Sequence, residues 1–159
     1  GIYATRHLLD VLADNGYIDL AYEMLTQKDY PGFGWQIAQG ATTLWEQWSF
    51  KGSMHSHDHA MFAGIGTSFY TRLGGIRALT PGYGKIAVEP VVPNGLDWAE
   101  ASLDTVRGRI VSSWRKQDGR LHLDVEIPPQ TTAAIRLRGT GGDAVEQEVQ
   151  GPGRYQWSI

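Results

Sequence analysis

The 159-residue chain contains no cysteine. This rules out a disulfide framework, a thiolate zinc site and a cysteine nucleophile. It also lacks any block of Lys and Arg: 14 basic against 17 acidic side chains leave a net charge of −3. Nucleic acid and an anionic membrane surface are therefore not expected as partners. No apolar run lasts more than a few residues, so no segment reads as a membrane-spanning helix. Charge is scarce in the middle of the chain. Between Pro31 and Leu79 only Glu46, Lys51, Asp58, Arg72 and Arg77 are charged.

What is present is 42% hydrophobic and 19% charged residues, the balance of a folded chain. The 20 Gly, 6 Trp and 7 Tyr are unevenly placed. Trp35, Trp45 and Trp48 lie close together, and His55, His57 and His59 alternate just beyond them, all in the stretch that is nearly free of charge. The chain begins at Gly1 and opens directly on a helical pattern. It is expected to be a fragment or processed piece, and its start carries no information on targeting or compartment.

The first half reads as helix. Leu8, Leu9, Val11 and Leu12 recur at helical spacing in Gly1–Asp14, and Asn15-Gly16 supplies a stop. Ile18, Ala21, Tyr22, Met24 and Leu25 give a second amphipathic segment, about Tyr17–Gln27, so a helical hairpin is expected. Phe33–Gly40 and Thr42–Trp48 read as short helical or irregular pieces. A third long helix is expected over His59–Leu73, capped by Asp58 or Ser56 and ended by Gly74-Gly75. The helical segments look too apolar for a complete small bundle.

The second half reads as strands: Lys85–Val92, Asp97–Thr105, Arg109–Lys116, Leu121–Ile127, Ala133–Arg138, Ala144–Val149 and Arg154–Ser158. Leu121, Leu123, Val125 and Ile127 alternate with His122, Asp124 and Glu126. Turn signals separate the runs, a spacing that describes an antiparallel β-sandwich. Arg107-Gly108-Arg109 reads as a hairpin turn with two exposed charges, and Trp98, Trp114 and Trp157 as core. The two parts, 1–80 and 81–159, meet near Thr80-Pro81-Gly82.

Glu46 is the first candidate for chemistry. It lies between Trp45 and Gln47-Trp48, in a stretch nearly free of charge. A carboxylate against aromatic surface is partly desolvated, and indole faces stack on the C–H faces of sugar rings. A glycine-rich loop carrying aromatics around an acid suits a carbohydrate subsite. The competing reading has Glu46 capping a helix or accepting from a nearby backbone N–H. His55-Ser56-His57-Asp58-His59 has the look of a metal cluster, since alternate side chains share a face in extended chain. A helix start at this point would separate the imidazoles. The reading preferred is no metal, with one His bound to a sugar hydroxyl. Asp19 and Glu23 read as a solvated helix face. Gly64-Ile65-Gly66 and Gly139-Thr140-Gly141-Gly142 lack the strand–turn–helix setting of a nucleotide loop.

The order of several motifs resembles the bacterial α-L-rhamnosidases of glycoside hydrolase family 78. They are Pro31-Gly32-Phe33-Gly34-Trp35, Gly40-Ala41-Thr42-Thr43-Leu44-Trp45-Glu46 and Ser56-His57-Asp58-His59. Gly75-Ile76, Pro81-Gly82-Tyr83 and the Trp98, Trp114 and Pro128-Pro129 segments continue the likeness over nearly the whole chain. In place of the family's usual Asn, Asp58 precedes His59. The resemblance implies the last helices of an (α/α)6 catalytic barrel followed by a β-sandwich, and a parent that hydrolyses terminal α-L-rhamnosides with inversion. It implies that Glu46 is the general base, that His59 contacts the sugar, and that Phe33, Trp35 and Trp45 wall the subsite. It implies no cofactor. The general acid of the family lies upstream and nothing here matches it, so the fragment is expected to be inactive and to be able to self-associate through its cut barrel face. The alternatives are a fragment of another (α/α)6 glycosidase, of the α-L-fucosidase type, and a non-catalytic carbohydrate-binding module.

Overall fold

The computed structural model describes residues 2–49, 56–139 and 142–159. The chain divides into two compact units, Gly1–Ser68 and Phe69–Ile159. The first holds helices α1 (Ile2–Asp14), α2 (Ile18–Thr26), α3 (Phe33–Ala38), α4 (Ala60–Ala63) and α5 (Ile65–Ser68). The second opens with a π-helical turn, Phe69–Leu73, and continues into eight strands.

Helices α1 and α2 form the expected hairpin. The chain reverses at Asn15-Gly16, where the Tyr17 N–H donates to the Leu12 carbonyl at 2.8 Å. Their facing stripes bury Leu9 and Ala21 together with Ile65 of α5, and Leu12, Ile18, Leu25, Phe33 and Leu44 pack around these. Apolar side chains also point outward from this unit: Tyr3, Val11, Tyr17 and Ile37 are all more than half exposed. No helix among the described residues is long and apolar enough to cross a membrane.

The long third helix expected over His59–Leu73 is broken into three pieces. It starts as α4, pauses at Gly64, resumes as α5 and widens into the π turn, where the Gly74 N–H reaches back to the Phe69 carbonyl at 2.8 Å. Gly64 and Gly66 are weak helix formers placed two residues apart. They account for the break despite the apolar spacing. Residues 42–48, left open between helix and irregular chain, are irregular.

The strands are β1 (Ile76–Ala78), β2 (Lys85–Val88), β3 (Trp98–Thr105), β4 (Gly108–Gln117), β5 (Arg120–Ile127), β6 (Thr132–Arg138), β7 (Ala144–Gln150) and β8 (Gly153–Ser158). They make two four-stranded sheets, in the orders β1-β2-β6-β7 and β3-β4-β5-β8. All pairings are antiparallel except β2 with β6. Period-two patterning sets the inner face of the second sheet. Ala99, Trp114, Leu123 and Trp157 form one cross-strand row, and Ala101, Ser112, Val125 and Tyr155 the next. With Ile86, Val88, Ile135 and Leu137 of the first sheet they build one continuous core.

Two expectations for this half are corrected. Trp98 is 65% exposed and is not core. It lies opposite Arg115 on β4, and the row that turns inward begins one residue later at Ala99. A one-residue step in a strand exchanges the two faces, so apolar neighbours alone could not settle its direction. The Arg107-Gly108-Arg109 turn does not display two free charges. Arg107 is half-buried and donates to the carbonyls of Gly82 (2.8 Å) and Gln130 (3.1 Å), so it clamps two loops.

Gly75 makes the passage from the π turn into β1 possible. Its φ is +73°, and a Cβ there would lie 2.3 Å from the Pro90 nitrogen. Gly75→Ala should therefore cost at least the roughly 1–3 kcal/mol of a disfavoured backbone conformation, with the clash in addition. The expected readout is an earlier urea midpoint at unchanged m-value; an unaltered midpoint would show that the backbone can yield here.

Candidate active site

The candidate site is assembled by α3 and by two irregular segments either side of residues 50–55. Helix α3 is seated directly on the end of α2. A Cβ on Gly34 would come within 2.6 Å of the Gln27 carbonyl oxygen, so only a hydrogen fits at that position. This close seat fixes the directions of the neighbouring aromatics. Phe33 turns inward, edge-on to Trp48 (4.9 Å) and Phe62 (5.9 Å). Trp35 stays half-buried and stands edge-on to Tyr30 at 5.2 Å.

Gln36 brackets the acid-bearing loop from both ends. Its carbonyl accepts from the Ala41 N–H at 3.0 Å, and its side-chain amide donates to the Gln47 carbonyl at 2.9 Å. The side chain is 1% exposed. Sequence reasoning passed over Gln36, although an uncharged polar residue on the inward face of a short apolar helix is a signal that a polar group must be met inside.

Within the loop, residues 43–46 run beside residues 56–59. The His59 N–H donates to the Leu44 carbonyl at 2.8 Å, and the Glu46 N–H to the Ser56 carbonyl at 3.1 Å. The Thr43 hydroxyl donates to the His57 carbonyl. The Glu46 carboxylate is tied into the same ladder, its Oε2 accepting from the Ser56 N–H at 3.0 Å. Glu46 is half-buried. The contact anticipated by the competing reading, a bond to a nearby backbone N–H, is thus present, and it orients the carboxylate. Trp45, 3% exposed, lies behind the loop with its ring edge-on to His57 at 6.1 Å.

The helix cap falls on a different residue from those expected. His59 itself is the N-cap of α4, its Nδ1 accepting from the Met61 N–H at 3.2 Å. Ser56 and Asp58 bond to each other, the Ser56 hydroxyl donating to the Asp58 carbonyl at 2.9 Å. Imidazole nitrogen replaces the usual oxygen acceptor at the cap. His55 lies outside the described residues. His57 is exposed and faces Trp45, while His59 turns to the helix start. Among the described residues no group of three His, Asp or Glu side chains gathers as a metal site. Asp19 and Glu23 are exposed on α2.

The residues singled out from the sequence therefore fall into two groups. Trp45, Glu46 and His59 lie on the two paired segments, 43–46 and 56–59. Trp35 and Phe33 share α3, and Phe33 joins an interior cluster with Trp48 and Phe62.

The acid-bearing loop between α3 and α4, ahead of the two sheets in the chain, lies in a segment that matches a glycosidase domain of the six-hairpin class. The bacterial α-L-rhamnosidase 6 hairpin glycosidase domain matches residues 1–73. The bacterial α-L-rhamnosidase C-terminal domain matches residues 75–152. The chain belongs to the bacterial α-L-rhamnosidase family. An α-L-rhamnosidase of Formosa agariphila is 37% identical over 145 residues, 86% of this chain and 16% of that protein. Among solved structures, the α-L-rhamnosidase from Dictyoglumus thermophilum superposes with a TM-score of 0.89 at 31% identity, covering 99% of this chain and 20% of that one. The Streptomyces avermitilis α-L-rhamnosidase complexed with L-rhamnose gives a TM-score of 0.89 at 27% identity, covering 100% of this chain and 18% of that one. The chain thus spans about a sixth of the length of the curated relatives it matches.

Proposed function

We propose that this chain is the C-terminal part of an enzyme that releases terminal α-L-rhamnose with inversion, and that Glu46 is its general base. The observation that supports the reading is the ladder between residues 43–46 and 56–59, which holds Glu46 and His59 on adjacent backbone segments. Glu46 takes a proton from water as the oxygen attacks the anomeric carbon on the face opposite the leaving group. The bond to the glycosidic oxygen breaks, and a second carboxylic acid protonates that oxygen. In an inverting enzyme the two carboxyl groups stand about 6.5–9.5 Å apart, leaving room for the water. That acid belongs to the part of the enzyme outside this chain.

His59 binds the sugar. Because its Nδ1 accepts from the Met61 N–H, the proton of the neutral ring sits on Nε2, which can donate to a sugar hydroxyl. Trp35, Phe33 and Trp45 form the aromatic wall. Trp35 is the member with ring surface to offer, while Trp45 and Phe33 support the wall from behind.

Two measurements test the reading. The full-length enzyme, given a panel of aryl glycosides, should cleave the α-L-rhamnoside and release β-L-rhamnose first, as seen by NMR; preference for a fucoside, or first release of the α-anomer, would overturn it. The 159-residue chain alone should show no turnover above a Glu46→Gln control, since general-acid help is worth about 10²–10⁴ in rate. Turnover by the isolated chain would mean that both carboxyl groups lie within it.

A further inference from the structure

The β-unit contains a cavity that the proposed hydrolysis does not use. It measures about 550 Å³, within the roughly 300–1,000 Å³ range of small-molecule sites. Its walls are apolar at Val92, Leu121 and Ile159, and its charged lining is Glu89, Lys116, Arg120, Arg136, Arg138 and Asp143.

These charges are not equivalent. Arg136 is already engaged: its Nε donates to Glu146 at 2.9 Å, and its guanidinium lies 3.9 Å from Glu89. Glu89 in turn holds Arg77 at 2.8 Å. This chain of pairs is neutral within itself and stiffens one wall. The Lys116 ammonium donates to the Pro93 carbonyl at 2.9 Å, which positions it without cancelling its charge. The Arg120 and Arg138 side chains are exposed and make no hydrogen bond or ion pair among the described residues. Among the charged side chains of the described residues that line the cavity, Lys116, Arg120 and Arg138 face Asp143, an excess of positive charge in a chain whose net charge is −3.

Unpaired guanidinium groups at the rim of a cavity suit a planar or tetrahedral oxyanion, which each can take through two parallel N–H bonds. The apolar wall suits the C–H face of the group that bears it. We propose that this cavity binds an acidic saccharide, a sugar unit carrying a carboxylate or a sulfate ester, with Arg120 and Arg138 as its anion contacts. The saccharide part of the proposal rests on the reading that the parent acts on glycans; the anion part rests on the charges alone.

The test is calorimetric titration of the 159-residue chain with trigalacturonate, a sulfated trisaccharide, neutral maltotriose and sodium sulfate. Binding of either acidic trisaccharide should exceed that of maltotriose by about tenfold or more, and should weaken with salt as a screened charge contact does. The Arg120→Ser, Arg138→Ser double variant should lose that margin while keeping its circular dichroism spectrum. The relative strength of the two acidic ligands then tells carboxylate from sulfate. Equal binding of maltotriose, no binding at millimolar concentration, or an undiminished margin in the double variant would overturn the proposal. Sodium sulfate matching the trisaccharides would reduce the cavity to an anion site and overturn its saccharide part. In the full-length enzyme the double variant should leave kcat on an aryl rhamnoside unchanged, whereas Glu46→Gln should lower it by about 10²–10⁴ and leave acidic-saccharide binding intact, so the two readings fail separately.

Discussion

Glu46→Gln in the full-length enzyme is expected to lower kcat by about 10²–10⁴, the usual worth of general-base help, with little change in rhamnose affinity. The amide keeps the size and planarity of the carboxylate. One of its atoms can still accept from the Ser56 N–H, the contact that Oε2 now makes at 3.0 Å. The ladder from residues 43–46 to 56–59 is otherwise held by backbone groups and by Gln36, so the loop should keep its shape. What is lost is the capacity to take a proton from water. A kcat within about threefold of the unmodified enzyme would remove Glu46 from the base role. Affinity falling in step with kcat would instead mean that the carboxylate binds sugar.

The largest effect on stability is expected at Trp114. It is the largest fully buried side chain, 0% exposed, in the middle of β4, and its indole N–H donates to the Leu73 carbonyl at 2.7 Å. Trp114→Ala removes the packed ring and should destabilise the β-unit by about 3–5 kcal/mol. Trp114→Phe separates the two contributions. It keeps most of the apolar area but leaves the Leu73 carbonyl without its donor, at a cost of about 1–3 kcal/mol. Urea titration followed by fluorescence of the remaining tryptophans should order the variants as Ala well below Phe, and Phe below the parent. Equal loss in both would place the whole effect in the hydrogen bond.

The strands were legible because their patterning repeats: Leu121, Leu123, Val125 and Ile127 all turn inward on β5. Strand β1, Ile76–Ala78, has only three residues, too few for alternation to register. Trp98 shows the limit of that signal, since its direction depends on register at an edge strand and not on its own hydrophobicity. The hairpin of α1 and α2 was legible from spacing and the Asn15-Gly16 stop. The broken third helix was not, because periodicity reports which side is buried and is silent on whether the backbone ladder continues through Gly64 and Gly66. In the candidate site, Glu46 stood out as the one acid among aromatics in a stretch nearly free of charge. Gln36 and the capping of α4 by His59 did not stand out, because each acts through backbone groups brought close only by folding.

Azide rescue of a Glu46→Ala variant of the full-length enzyme tests the central claim most directly. Azide attacks without giving up a proton, and the shortened side chain leaves room for it. The account predicts turnover that depends on azide concentration and a product that is rhamnosyl azide of inverted anomeric configuration. Turnover at the parent rate without azide, or an azide product of retained configuration, would contradict it.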